Sequence, residues 1–151
     1  MATNYVEQEA KALQLVYTTV TVFSRHSNGK PGQAVYGELA KGSFRKVVTY
    51  MIDEMEFDQD SLFLDVGSGG GKPNFHVAQD PGVKASIGIE VDEHRWKCSM
   101  DGLNKLKQIS QKQQKDESFP INYKNCFFIN ACITSVQSFD PFTHVYMFST
   151  G

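Results

Sequence analysis

Apolar residues recur at helical spacing near the start of the chain, at Val6, Ala10, Leu13, Val16, Tyr17 and Val20, and predict one amphipathic helix from Thr3 to about Arg25. Thr3 or Asn4 can cap it, and the β-branched run from Thr18 to Val22 weakens its last turns. The turn formers from His26 to Gly32 predict a loop. A second helical stripe, Phe44, Val47, Val48, Met51, Ile52 and Met55, predicts a helix from about Glu38 to Met55. After an acidic turn from Glu56 to Asp60 the pattern changes. Leu62-Phe63-Leu64-Asp65-Val66 is a short apolar run suited to a strand buried on both faces.

Pro73 to Gln79 can be helical, with proline in the first turn where its missing amide proton matters least. Ala85 to Glu90 is a second strand candidate, and Asp92 can cap a helix bearing Trp96, Met100, Leu103 and Leu106. The polar tract from Gln111 to Ser118 reads as a solvated loop. Cys126 to Ile129 and Val145 to Phe148 are the third and fourth strand candidates. Strand, helix, strand, helix, strand, strand predicts an α/β fold with a parallel sheet, because parallel neighbours need a crossover between them.

The chain's 151 residues are enough for one core, and 40% hydrophobic with 21% charged residues is a globular composition. Fifteen Lys and Arg against 17 Asp and Glu leave a net charge of -2, so charge alone does not support DNA contact by this segment. Cys98, Cys126 and Cys132 form no CxxC pair and suggest a reducing, intracellular location. No apolar run approaches the roughly 20 residues that cross a bilayer, and the N-terminus is polar and acidic. His94 and Cys98 stand four apart, yet no second pair completes a zinc site, so a surface histidine and a buried cysteine are expected and no metal. His26, His76 and His144 are scattered, and Trp96 is expected in the core.

The segment from Asp65 to Pro73 leaves a buried strand and opens a helix, the setting in which a glycine loop binds a cofactor at a helix N-terminus. A Walker loop is excluded, since Val66 stands where its first glycine belongs and Pro73 where its hydroxyl belongs. The dinucleotide pattern GxGxxG meets Lys72 or Asn74 at its third glycine. Asp-x-Gly-x-Gly-x-Gly fits Asp65, Gly67, Gly69 and Gly71 without a gap, and it resembles the first motif of class I S-adenosylmethionine-dependent methyltransferases. Glycines let the backbone approach a small cofactor, Ser68 lies within the turn, and helix amides attract a carboxylate such as that of the methionine part. Asp65 could serve its ammonium. Glu90, about 23 residues after Gly67, ends the second strand and is suited to both ribose hydroxyls, with Val91 beside it.

Upstream stands Ala34-Val35-Tyr36-Gly37-Glu38, then Met51-Ile52-Asp53-Glu54, then Asp65-Val66-Gly67-Ser68-Gly69. This combination, over roughly residues 34 to 92, resembles the disruptor-of-telomeric-silencing (DOT-type) histone lysine methyltransferases. The resemblance implies a Rossmann-like sheet of seven strands, of which four are visible, so an incomplete sheet with one unpaired flank on the fourth strand is expected. It divides the chain into an N-terminal helix and loop over residues 1–33 and the N-terminal part of a methyltransferase domain over 34–151. It implies S-adenosylmethionine as cofactor, with Tyr36, Gly37 and Glu38 folded over the methionine end, a histone or nucleosome as partner, and a nuclear location.

The sequence departs from that family at Leu39, in place of Thr, and at Lys72, in place of Gln. Beyond the third strand the family's adenine-binding Asp is missing; Asn130, Ala131 and Cys132 stand there, and Asn130 or a backbone carbonyl is the substitute acceptor, with Ile133 against the ring. Phe148-Ser149-Thr150 replaces an Asn-Asn-Phe type segment. Methyl transfer from a sulfonium needs alignment, exclusion of water and a neutral amine rather than a strong base, so no catalytic side chain stands out. A class I methyltransferase acting on RNA or a small molecule, or an inactive cofactor-binding scaffold, are the alternatives.

Overall fold

The computed structural model describes residues 2–24, 39–113 and 120–148. The first stripe closes into α1, Ala2–Ser24, which buries Leu13, Val16, Tyr17 and Val20 and leaves Val6 exposed. The β-branched run does not end it. Thr18 and Thr19 turn their hydroxyls back onto the carbonyls of Gln14 and Leu15, and packing of the buried face outweighs the propensity cost. The expected loop from His26 to Gly32 lies outside the described residues.

Helix α2 spans Lys41–Glu54 and buries Phe44, Val48 and Met51. Ile52 and Met55, expected on the buried stripe, are exposed. The helix stops at Met55, Glu56 turns with φ 52°, and Phe57 takes the buried place instead, its amide bonded to the Met51 carbonyl. Strand β1 (Leu62–Val66) leads to α3 (Lys72–Gln79), then β2 (Ala85–Glu90) and α4 (Glu93–Gln113). Asp92 accepts from the Arg95 amide, the expected cap. Helix α4 runs into the polar tract expected as loop, as far as Gln113, because that tract's charged and amide side chains suit an exposed helical face. Strands β3 (Cys126–Asn130) and β4 (His144–Met147) complete the described chain.

The sheet is wholly parallel with order β3-β2-β1-β4. The chain therefore moves outward from β1 through β2 to β3 and returns to β1's other side as β4, making a switch point at the ends of β1 and β4. The α/β expectation is met in this arrangement. One face carries Phe63, Cys126, Phe128 and Tyr146 and is covered by helices: Val16, Val20, Phe75 and Leu106 pack toward β3, while Phe44, Val48, Met51 and Val77 pack toward β1 and β4. The other face gathers Leu64, Val66 and Ile89 under Ala131, Ile133 and Phe142, a cluster with no α-helical member among the described residues. Val145 and Met147 on β4 are exposed, and among the described residues β4 has a partner strand on one side alone, as expected.

Trp96 is half-buried rather than a core residue; its Nε1 donates to the Phe128 carbonyl at 3.1 Å, which anchors α4 to β3. His94 is exposed and Cys98 buried. Among the described residues no helix is long and apolar enough to cross a membrane.

Candidate functional site

The turn between β1 and α3 occupies the switch point. Gly67, Gly69 and Gly71 have φ of 77°, 53° and 83°, so every glycine of the alternating motif takes the left-handed region. The amides of Gly67 and Ser68 both donate to the Ile89 carbonyl, at 2.8 and 3.0 Å, which bends the turn over the end of β2. Gly71 closes it: its amide donates to the Ser68 carbonyl, and its own carbonyl accepts from Phe75 to start α3. A Cβ on Gly71 would lie 2.5 Å from Phe128 Cε1, so a side chain is excluded by both backbone and neighbour. Sequence reasoning missed Gly88. A Cβ there would lie 2.6 Å from Ser68 Oγ, so β2 needs this glycine for the turn to lie against it.

Glu90 is buried, and its Oε2 accepts from the Gly69 amide at 2.8 Å while Oε1 accepts from the Asp92 amide at 2.9 Å. The carboxylate expected for ribose is thus first of all the pin of the glycine turn, and a ligand would use its remaining lone pairs.

Asp65 is 2% exposed, and its Oδ2 has no hydrogen-bond partner among the described residues; neither has the Oγ of buried Ser68. Burial, and secondarily the charge of Glu90, push the Asp65 carboxyl up to about 8. Tyr146 lies opposite Asp65 in register, and burial followed by the Asp65 charge pushes its phenol up to about 12. An unpartnered carboxyl costs stability where it stands, and a cationic donor brought beside it would restore its charge and satisfy it.

Asp65, Gly67 and Ser68 line a cleft whose walls include Tyr17, Phe44, Tyr146 and Phe148, with Leu39, Lys72 and Pro73 completing it. A wider cleft shares Tyr17, Leu39 and Lys72 with it and continues along α1 past Gln14 and Thr18. Tyr17 was expected only as core, and nothing in its sequence surroundings marks it as a cleft residue. Its hydroxyl lies 2.7 Å from Nδ1 of His76, a fully buried side chain whose pKa burial, then Arg45 and Lys41, push down to about 3. His76 is therefore a neutral post that fixes Tyr17. Phe44 stands edge-on to both His76 and Tyr146, which ties α2 to the same wall.

Of the residues singled out from the sequence, Asp65, Gly67, Ser68, Gly69, Gly71 and Glu90 come together here. Val91 follows at the end of β2, 68% exposed. Asn130 Nδ2 donates to the carbonyls of Glu90 and Val91 at 2.8 and 3.3 Å, and the Ala131 amide donates to Glu90, so Asn130 and Ala131 border the same strand ends. The Asn130 amide oxygen remains as an acceptor. Cys132 is exposed, and contact with Thr134 holds its thiol below the usual range. Tyr36, Gly37 and Glu38, as well as Ser149 and Thr150, lie outside the described residues.

The family model described as histone methylation protein DOT1 matches residues 14–138. A protein-lysine N-methyltransferase from Saccharolobus islandicus (strain REY15A) is 30% identical over 60 residues, 40% of this chain and 37% of that protein. Magnesium protoporphyrin IX methyltransferase from Synechocystis PCC 6803, with SAH bound, superposes with a TM-score of 0.48 at 15% identity, covering 93% of this chain and 57% of that one. Coclaurine N-methyltransferase, bound to N-methylheliamine and SAH, gives 0.49 at 15% identity, covering 95% of this chain and 42% of that one. The matches thus span less than two thirds of each of these relatives.

Proposed function

Because the chain belongs to the family of DOT1 histone methylation proteins, we propose that it takes part in S-adenosylmethionine-dependent transfer of a methyl group to a lysine nitrogen, with a histone lysine as acceptor. The lysine class is supported by the 30% identical protein-lysine N-methyltransferase. The observation that carries the reading is the buried, unpartnered Asp65 oxygen at the head of a three-glycine turn at the sheet's switch point. A cofactor with a cationic amino group and a carboxylate fits that donor set.

Asp65 accepts from the ammonium, the turn from Gly67 to Gly71 gives its backbone to close approach, and Ser68 offers a hydroxyl. Glu90 and Val91 border the ribose, and Asn130, Ala131 and Cys132 the adenine. Tyr36, Gly37 and Glu38, outside the described residues, are assigned to the methionine end by the sequence resemblance alone. The cofactor supplies a methyl group already activated on sulfonium, so the chain's work is alignment and exclusion of water. The aromatic walls from Tyr17, Phe44, Tyr146 and Phe148 desolvate an incoming lysine, which lowers its pKa and favours the neutral amine that attacks. A histone acceptor implies work on chromatin and a nuclear location. The net charge of -2 gives this segment no general attraction for nucleosomal DNA.

The test is calorimetry with S-adenosylhomocysteine on the intact protein, followed by labelled-methyl transfer to nucleosomes, free histones, RNA and metabolite pools. Label on a histone lysine is expected. Label in RNA or a metabolite alone overturns the acceptor, and binding without transfer to any of them makes the protein a cofactor-binding scaffold.

A further inference from the structure

The net charge of -2 hides an uneven distribution. Residues 102–139 hold five lysines and two acids, or +3, while the rest of the chain holds 10 Lys and Arg against 15 Asp and Glu, or -5. Both of those acids fall in 114–119, outside the described residues, so 102–113 and 120–139 carry Lys105, Lys107, Lys112 and Lys124 with no Asp or Glu. All four lysines are exposed and form no ion pair among the described residues, whereas Lys97 in the first half of α4 is paired with Glu93. They gather at one end of the fold. Helix α4 leaves the end of β2, where the cleft lies, and runs back toward the start of β3, roughly 30 Å for its 21 residues. The Asn125 carbonyl accepts from the Ser86 amide and Asn125 Nδ2 donates to the Val83 carbonyl, which puts Lys124 at that same end of the sheet.

Lys105 and Lys112 are seven residues apart, two turns along one stripe and about 10 Å from each other, and the other exposed positions of this half of α4 are Asn104, Lys107, Gln108 and Gln111. No large apolar side chain of α4 is among the exposed ones. A protein partner would need an apolar anchor at the centre of the contact, a membrane an apolar stripe to bury, and a single-stranded nucleic acid an aromatic platform; this face offers none of them. Lysine and amide side chains are the groups that hold phosphate oxygens. Attraction to the negative end of the helix dipole accounts for Lys112 alone, because it fades within the last turn. We propose that the second half of α4, with Lys124 beside it, docks on the phosphate backbone of duplex DNA without reading its sequence. The surface lies at the opposite end of the sheet from the cleft, so it works independently of the cofactor and acceptor that the cleft takes.

The experiment measures fluorescence polarisation of a labelled duplex of arbitrary sequence with the intact protein over a series of salt concentrations. Four phosphate contacts give a slope of log K against log salt of about -3 to -4. The triple variant Lys105→Gln, Lys107→Gln, Lys112→Gln should bind about tenfold or more weakly at low salt and bring the slope to about -1. A control that removes as many lysines elsewhere, Lys11→Gln, Lys46→Gln, Lys97→Gln, should stay within about threefold of the unaltered protein. Circular dichroism checks the fold of both, and all six substituted side chains are exposed. No binding of the duplex by the unaltered protein, undiminished binding by the first variant, or an equal loss in the control overturns the inference. So does tighter binding of single-stranded RNA or of anionic phospholipid vesicles than of the duplex. Calorimetry with S-adenosylhomocysteine separates this surface from the cleft: the first variant should bind it within about twofold of the unaltered protein, and a protein that binds duplex but no S-adenosylhomocysteine overturns the cofactor reading and leaves this one standing.

Discussion

Glu90 Oε2 lies 2.8 Å from the Gly69 amide nitrogen, 21 residues earlier in the chain, so the acid that ends β2 holds the turn that ends β1. Its second oxygen holds the Asp92 amide at the start of α4. Glu90→Ala removes both acceptors from a buried site and should lower unfolding free energy by about 1.5–3 kcal/mol in urea denaturation. Glu90→Gln, which keeps one acceptor, should lose less. Equal stability of all three proteins would show that the turn does not depend on this pin.

Gly71 and Gly42 should respond to alanine in opposite directions. Gly71 has φ 83° with Phe128 where a Cβ would go, and Gly71→Ala should cost about 2 kcal/mol or more. Gly42 lies in α2 with nothing within 4 Å of a built Cβ, so Gly42→Ala should stabilise by about 0.5 kcal/mol. Paired denaturation curves give both signs in one experiment.

Asp65 and His76 make stability depend on pH in opposing ways. Burial and then Glu90 hold Asp65 at about 8 in the folded chain against 3.8 for a free carboxyl, so its contribution is whole below about 4 and is lost as pH rises to about 8. Burial, then Arg45 and Lys41, hold His76 at about 3 against 6.5, so its contribution is whole above about 6.5 and is lost as pH falls to about 3. The two slopes offset each other between about 4 and 6.5, and from 6.5 to 8 Asp65 acts alone. Stability should fall there by up to ~1.4 kcal/mol per pH unit, and Asp65→Asn should flatten the decline. A level profile for the unaltered protein over that stretch would contradict the assignment.

Tyr17→Phe removes the 2.7 Å contact with His76 Nδ1 and leaves both ring nitrogens without a partner, since Nε2 already has none among the described residues. The expected cost is about 1–2 kcal/mol, read as a fall of roughly 3–8 °C in Tm. A melting point unchanged within a degree or so would mean that water satisfies the imidazole as well as the phenol does.

The exposed Val145 and Met147 on a strand with one described neighbour predict concentration-dependent association. Met147→Lys should shift sedimentation toward the monomer. A monodisperse monomer at all concentrations for the unaltered protein would show that this edge is protected.

What the sequence determined by itself is local. The period of Leu13, Val16, Tyr17 and Val20 makes α1, the run from Leu62 to Val66 makes a buried strand, and alternating glycines make a left-handed turn, because backbone sterics and side-chain spacing act between near neighbours. The match of Asp65 with Glu90 was also legible, since strand–turn–helix–strand length fixes where the second acid falls. Only the tertiary structure decided what those groups do to one another. Periodicity marked Ile52 and Met55 for burial, but the turn at Glu56 gave their place to Phe57. Tyr17 reaches His76 across 59 residues, Gly88 is required by Ser68 of another strand's turn, and Asp65 is raised by burial next to Glu90. Desolvation, close approach and the pairing of distant polar atoms depend on which surfaces the chain brings together, and no spacing along the chain encodes them singly.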